Sequence, residues 1–211
     1  MDFMIFSTFD DAVKQRSRAL AAPVRPHRRL AAMLLALPLL ALLPTPPASA
    51  DTPSSGVLER RVKAAFLYKF LGYAEFPPQA FADGAAPLTI GVVGSDEMAA
   101  ELARIAAGRM IGGRTIMVRQ FREQDTQIPV HLLFIAGSDP ARVGRLMRAA
   151  PSALLTVTEC TNPQHCGSVI NFRIVDERVR FDVSLDAAEK NNVKLSSRLL
   201  TVANRVQKGA P

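Results

Sequence analysis

Hydrophobic and polar residues change rhythm along this chain, and each rhythm predicts an element. Over residues 57–76 the apolar positions Leu58, Val62, Phe66, Phe70 and Tyr73 recur at helical spacing, and Ala64, Leu67, Leu71 and Ala74 fill an adjoining stripe. This predicts a helix that is apolar over more than half its circumference, capped by Ser54 or Ser55 and stopped by Pro77-Pro78. A face that wide implies deep burial or a partner, so Phe66, Phe70 and Tyr73 are candidate self-association residues. Residues 88–93 are a short β-branched run and read as a buried strand. Gly94-Ser95-Asp96 then turns into a helix over 97–107, with Met98, Leu102 and Ile105 facing inward. After a turn at Gly112-Gly113, residues 115–121 alternate as a second strand, and the continuous apolar run 131–135 is a third. Gly137-Ser138-Asp139-Pro140 opens a helix through residue 150, with the proline in the first turn, where its missing N–H does no harm.

Further strands are expected at 153–157, 169–175 and 178–183. The last two are joined by Asp176-Glu177, a two-residue connection that predicts an antiparallel hairpin. Asp186 with Glu189 three residues later fits a capping box, and Ser196 or Ser197 opens a final helix ending near residue 206. Strands alternating with helices up to residue 157 predict a right-handed, mostly parallel sheet covered on both faces, with the hairpin as an antiparallel addition. The expected fold class is therefore α/β, a single three-layer domain over residues 57–206. A polar lead-in at 51–56 precedes it and a tail at 207–211 follows.

The first fifty residues follow a different pattern. The basic stretch Arg25-Pro26-His27-Arg28-Arg29 precedes fourteen residues, 30–43, that are apolar apart from Pro38. A helix-breaking run ending in Ala48-Ser49-Ala50 closes the segment. That order is the layout of a secretory signal peptide with cleavage after Ala50, and fourteen residues fall short of the roughly 20 that span a bilayer. Residues 1–24 add nothing such a peptide needs, which points to a later translation start, with Val24 as a GTG start.

This changes the reading of the charge. The whole chain of 211 residues has 26 Lys+Arg against 19 Asp+Glu, a formal +7 that would ordinarily raise nucleic acid or anionic membrane as partners. Six of those bases and three of the acids lie in residues 1–50, leaving 20 against 16 and only +4 on the mature chain. Its longest basic run is Arg60-Arg61, so nucleic acid loses its support, and no membrane insertion is expected after cleavage.

Candidate chemistry is sparse. Gly94-Ser95-Asp96 and Gly137-Ser138-Asp139 both sit between a strand and a helix, at the carboxyl ends where open α/β sheets bind ligands. Free helix N–H groups there suit an anion, although Ser and Asp are also the preferred helix caps and neither stretch is a dinucleotide or P-loop fingerprint. Cys160 and Cys166 bracket turn-forming residues in a chain expected to be exported, which predicts a disulfide; closing so small a loop stabilises the fold by about 2 kcal/mol. The spacing is not that of a CxxC redox pair. His165 beside Cys166 makes a poor metal site, and no cofactor or metal is expected. His131 lies within a buried strand and reads as a satisfied core histidine. Asp182 and Asp186 straddle a strand end and a helix cap, so they do not form a catalytic pair. With no GxSxG, HExxH or Schiff-base lysine signature, no catalytic residues are assigned and no enzyme is expected.

The run Val62-Lys63-Ala64-Ala65-Phe66-Leu67-Tyr68-Lys69-Phe70, continuing to Glu75-Phe76-Pro77, resembles the opening of the YfiR-like (YfiR/HmsC) periplasmic proteins. So do Ile170-Asn171-Phe172, the stretch from Val179-Arg180-Phe181-Asp182 to Ala187-Ala188, and Val193-Lys194-Leu195-Ser196-Ser197-Arg198-Leu199-Leu200. The resemblance implies a periplasmic repressor that binds the periplasmic sensor domain of an inner-membrane diguanylate cyclase and holds it inactive, lowering cyclic di-GMP and biofilm formation. It also implies a homodimer whose activity is linked to the redox state of its disulfides. Cys160 and Cys166 match the family's late cysteine pair. Some members carry a second pair, with one cysteine falling near Val130, and this chain has only the one. For Phe66, Phe70, Asn171 and Leu200 the resemblance implies packing. Two rival readings come from other classes: a periplasmic small-ligand-binding module feeding a sensor kinase or transporter, with its pocket at the two Gly-Ser-Asp turns, and a thiol oxidoreductase using Cys160 and Cys166.

Overall fold

The structure is a computed structural model that describes residues 55–149, 153–162 and 166–209. The export segment expected at 1–50, the possible cap Ser54 and His165 lie outside the described residues.

Helix α1 (Ser55–Tyr73) leads into a two-residue strand β1 (Ala74–Glu75), and the first parallel unit follows as β2 (Leu88–Val93) and α2 (Asp96–Ala106). A short strand β3 (Met110–Ile111) folds back on β4 (Arg114–Phe121). After these come β5 (Leu132–Ile135), α3 (Pro140–Ala149), β6 (Leu155–Thr158), β7 (Ile170–Val175) and β8 (Arg178–Ser184). The chain finishes with α4 (Leu185–Lys190), β9 (Lys194–Leu195), α5 (Ser197–Val202) and β10 (Arg205–Gln207). Among the described residues the large sheet has eight strands in the order β10-β8-β7-β6-β5-β2-β4-β3. The run β4-β2-β5-β6-β7 is parallel, and β8 is antiparallel to β7. The α/β class, the mostly parallel sheet and the antiparallel hairpin are as the pattern predicts.

Two apolar clusters explain the layers. Alternate side chains of the central strands (Ile90, Val92, Leu132, Phe134, Leu155 and Val157) meet α1 and α2 on one face. Their neighbours Val93, Leu133 and Ile135 meet Val143 and Leu146 of α3 on the other. Both faces of β2 and β5 are therefore buried, which is why those strands read as continuous apolar runs. Gly91 belongs to the second face, where a Cβ would come within 3.1–3.2 Å of Val130, Leu133 and Phe121. In the hairpin turn both Asp176 and Glu177 adopt positive φ, as a type I′ connection requires.

The structure departs from the expectations at the element ends. Helix α1 stops at Tyr73, because Ala74 and Glu75 pair antiparallel with Leu195 and Lys194. The strand expected at 153–157 runs from Leu155 to Thr158, after Ala153 takes a positive φ. The short helix α4 is capped by Ser184, whose side chain accepts from Ala187 N–H, and not by an Asp186–Glu189 box. The last helix ends at Val202 rather than near 206. There Asn204 donates from its backbone to Phe181 O at 2.8 Å and from its side chain to Asp182 Oδ1 at 2.7 Å, drawing the chain onto β8 as the parallel strand β10.

Candidate functional site

Because β2 and β5 are neighbours, the two Gly-Ser-Asp turns at their carboxyl ends lie side by side. They are spent differently. Ser95 is the cap of α2, its Oγ accepting from Met98 N–H at 3.2 Å, while the Asp96 carboxylate accepts from the side chain of Gln120 on β4. In the second turn the cap moves one residue along: Asp139 Oδ1 accepts from Ala141 N–H at 2.9 Å. Pro140 explains the shift, since it starts α3 without an N–H and holds the residue before it out of the helical region. Gly137 donates its N–H to Glu159 Oε1 at 2.7 Å. Three of the donors at these turns, the N–H groups of Met98, Gly137 and Ala141, are thus satisfied within the chain.

The crevice between the turns is filled as well. The Arg142 guanidinium, on the first turn of α3, lies against Gly94 and Gly137, donates to Ala136 O, and meets Glu123 Oε1 at 2.5 Å. Gly94 takes φ +84, a conformation that favours glycine, and a Cβ there would push the guanidinium aside. Sequence reasoning placed the turns correctly but missed the residue that occupies their junction.

A cleft of about 450 Å³ opens beside Gly137 and Ser138, lined also by Lys63, Glu159, Cys160 and Phe172. Its distinguishing group is Lys63, only 8% exposed although it sits on the buried stripe of α1 with Leu67, Phe70 and Leu71. Lysine is rarely buried without a partner, and this one has two: Glu59 Oε1 and Glu159 Oε2, each at 2.6 Å. Burial alone would push the ammonium down, but the hydrogen bonds and charges of Glu159 and Glu59 outweigh it and hold its pKa above the ordinary lysine value. The Phe172 ring stands 5.9 Å from the Nζ. Glu159 therefore bridges α1 to the second turn, through Lys63 with one oxygen and Gly137 with the other. The signal in the sequence was a charged residue on an apolar stripe, and its partner 96 positions away could not be read from spacing.

Next to the cleft, Cys160 and Cys166 form a disulfide. Asn171 on β7 anchors this loop: its Oδ1 accepts from Thr158 Oγ1 and Cys160 N–H, both at 2.8 Å, and its Nδ2 donates to Cys160 O at 3.0 Å and Phe172 O at 3.1 Å. The Thr158 hydroxyl also meets Ser168 Oγ at 2.7 Å. All of these groups are buried, so the loop is held by an interior polar network as well as by its sulfur bridge.

Three of the four aromatic residues of α1 pack into or against the core, and the fourth, Tyr68, lies under the Arg109 guanidinium. Phe70 is 1% exposed and packs against Phe181 and Phe172 with centroids 4.9 and 5.8 Å away, so it belongs to the core. Phe66 and Tyr73 are half-buried against the same cluster, and so is Leu200. His131 is buried as expected but precedes β5 rather than lying within it; its ring stacks on Phe81, with Nδ1 accepting from Thr89 N–H at 3.0 Å and Nε2 directed at Ala80 O at 3.1 Å, where a proton on Nε2 completes the bond. Burial holds its pKa below the ordinary histidine value; the bond to Ala80 works against this, and the nearby Arg114 charge adds to it. Asp182 pairs with Asn204, and Asp186 accepts from Gly209 N–H, so the two carboxylates serve separate contacts. Among the described residues there is no group of three or more His, Cys, Asp or Glu placed to hold a metal ion.

Comparison with known proteins follows the same lines. The sequence model of a family described as YfiR/HmsC-like matches residues 60–204 of this chain. No curated protein matches it. A solved structure described as a conserved domain protein from Vibrio cholerae O1 biovar El Tor str. N16961 is similar at 11% identity with a TM-score of 0.48, over 70% of this chain. The chain spans about 60% of that structure's length.

Proposed function

This chain belongs to the YfiR/HmsC-like family, and from that premise we propose that it is a periplasmic repressor which holds a membrane-bound diguanylate cyclase inactive by binding its periplasmic sensor domain. The observation that carries the reading is the family match itself, which runs from within α1 to just past α5 and leaves out only the first turn of α1 and β10. Family membership supports a periplasmic regulator associated with diguanylate cyclase. The partner, the direction of control and the homodimeric state are the finer parts of the proposal.

Two features of the molecule agree with it. A disulfide closing a small loop suits an oxidising compartment. No helix among the described residues is long and apolar enough to cross a membrane, which fits a protein that meets its partner from the periplasmic side. The small-ligand reading placed its pocket at the Gly-Ser-Asp turns, whose junction is filled by the Arg142 guanidinium, although a cleft opens beside Gly137 and Ser138.

The experiment is deletion of the gene in a strain shown to express it. Cyclic di-GMP and biofilm are expected to rise, and to fall again on complementation with the full chain but not with residues 51–211 alone, which lack the export segment. Unchanged cyclic di-GMP in the deletion strain counts against repression, and rescue by the unexported form counts against a periplasmic site. Light scattering on the purified mature chain checks the homodimer, and a single monomeric species would remove that part.

A further inference from the structure

Between Glu101 and Glu123 the chain carries five arginines, at 104, 109, 114, 119 and 122, and no acid. The fold sets β3 and β4 at one end of the sheet; Arg104 pairs with Glu101 on α2 and Arg114 donates to Asp83 O and Ala86 O, which leaves Arg109, Arg119 and Arg122. Residues 116–121 of β4 pair with β2 on one side, while β3 covers only Arg114 and Thr115 on the other. Beyond Thr115 that outer side faces no strand among the described residues, which leaves a row of main-chain N–H and C=O groups for an incoming chain. Alongside runs an apolar groove of about 410 Å³ between β4 and the C-terminal half of α2, lined by Ala103, Ala106, Met110, Ile116, Met117 and Val118. The alanines leave open a space that larger helix residues would fill. Met110 and Met117 are 57% and 48% exposed there, among the few large apolar side chains left open to solvent. Arg109 is the charged residue of the groove lining, and Arg119 stands exposed further along β4.

We propose that this edge takes up an extended, acidic segment of a partner protein as an added strand. Alternate apolar side chains of the segment enter the groove against α2, the carboxylates between them meet Arg119 on the opposite face, and Arg109 adds its positive charge at the groove. A second copy of this chain is the poorer occupant. Antiparallel pairing of two β4 edges would bring the exposed Arg119 of both copies alongside one another, and Glu123, the next acid along the chain, is already held by Arg142. The inference stands apart from the cyclase reading, because it specifies the chemistry of a segment and not the protein that carries it.

The test uses the full chain and a blocked, fluorescein-labelled heptapeptide that alternates glutamate with valine, set against its lysine–valine counterpart. The glutamate peptide is expected to bind and to slow amide hydrogen exchange at residues 116–121. Its affinity is expected to fall by about tenfold or more in Arg109→Glu/Arg119→Glu, the loss being smaller at high salt. Ala103→Leu, which fills the groove while keeping a good helix former, is expected to weaken binding as well. Equal binding of the lysine peptide, no binding of the glutamate peptide at millimolar concentration, or protection confined to another part of the sheet overturns the proposal.

Discussion

Where β6 meets β7, one buried amide, Asn171, makes four hydrogen bonds, a disulfide closes the adjoining loop, and a buried lysine ties helix α1 to the same corner through Glu159. At one edge of the sheet, β4 presents alternating half-buried and exposed residues over 114–119, and its outer side is unpaired beyond Thr115 among the described residues. The two regions share one sheet and differ in where their polar groups are satisfied, inside the protein at β6–β7 and outside it at β4. Interior polar groups must be matched or they destabilise the fold, whereas edge groups are met by water and stay available to a partner.

Four variants and one titration measure that difference, from the largest expected effect to the smallest. Asn171→Leu strands the Cys160 amide and carbonyl and the Thr158 hydroxyl in the interior, and is expected to cost about 3–5 kcal/mol by urea denaturation. A loss under about 1 kcal/mol would mean that the corner is not held by this network. Cys160→Ala with Cys166→Ala removes the covalent closure, and about 2 kcal/mol should disappear in the same assay.

Lys63→Met leaves Glu59 and Glu159 without their shared cation. Their side chains remain 38% and 24% exposed, so water takes up much of the loss and about 1 kcal/mol is expected. The sign with pH follows from the raised pKa. In the wild-type chain the ion pairs contribute fully below the ordinary lysine pKa of about 10.4, and the contribution is lost as pH climbs through the raised folded value. Alkaline denaturation should therefore separate wild type from Lys63→Met below that window and bring them together above it.

His131 behaves in the opposite sense. Its pKa is lowered by burial, so its contribution is complete above about pH 6.5 and is lost as pH falls through the lowered folded value, where the unfolded chain binds the proton and the native one does not. Following the imidazole resonances by NMR across pH 4–8 should give a midpoint under that of a free histidine. A midpoint at or above it would mean that the Thr89–His131–Ala80 bridge does not persist in solution. At the free edge Met117→Thr should change stability by no more than about 0.5 kcal/mol. A larger loss would show that β4 is covered in the isolated protein and would erase the contrast.

What was legible in the sequence was local. The runs at 88–93 and 131–135 announced strands buried on both faces, and Asp176-Glu177 announced the hairpin because a two-residue link leaves few alternatives. Cys160 and Cys166 were readable as a pair because only a few residues separate them. The end of the final helix was not readable. Residues 203–206 continue a plausible helical pattern, and only Asn204 bonding to Phe181 and Asp182, 22 or more positions away, turns them into β10. The cap of α4 was misplaced by two residues, since Ser184 and Asp186 are both good caps and the end of strand β8 decides between them.

The two Gly-Ser-Asp turns mark the same boundary at the candidate site. The sequence by itself determined that both would end a strand and open a helix, because glycine, a capping side chain and, in one case, proline act within three or four residues. It likewise determined the layered fold and the family the chain belongs to. Only the tertiary structure decided that Arg142 fills the space between the turns, that Glu159 joins Lys63 to Gly137, and that Arg119 stands on an open edge. Propensity and turn chemistry are properties of neighbours along the chain. The pairing of a charge depends on the register of strands and helices tens of residues apart, and that is set only when the whole sheet closes its core.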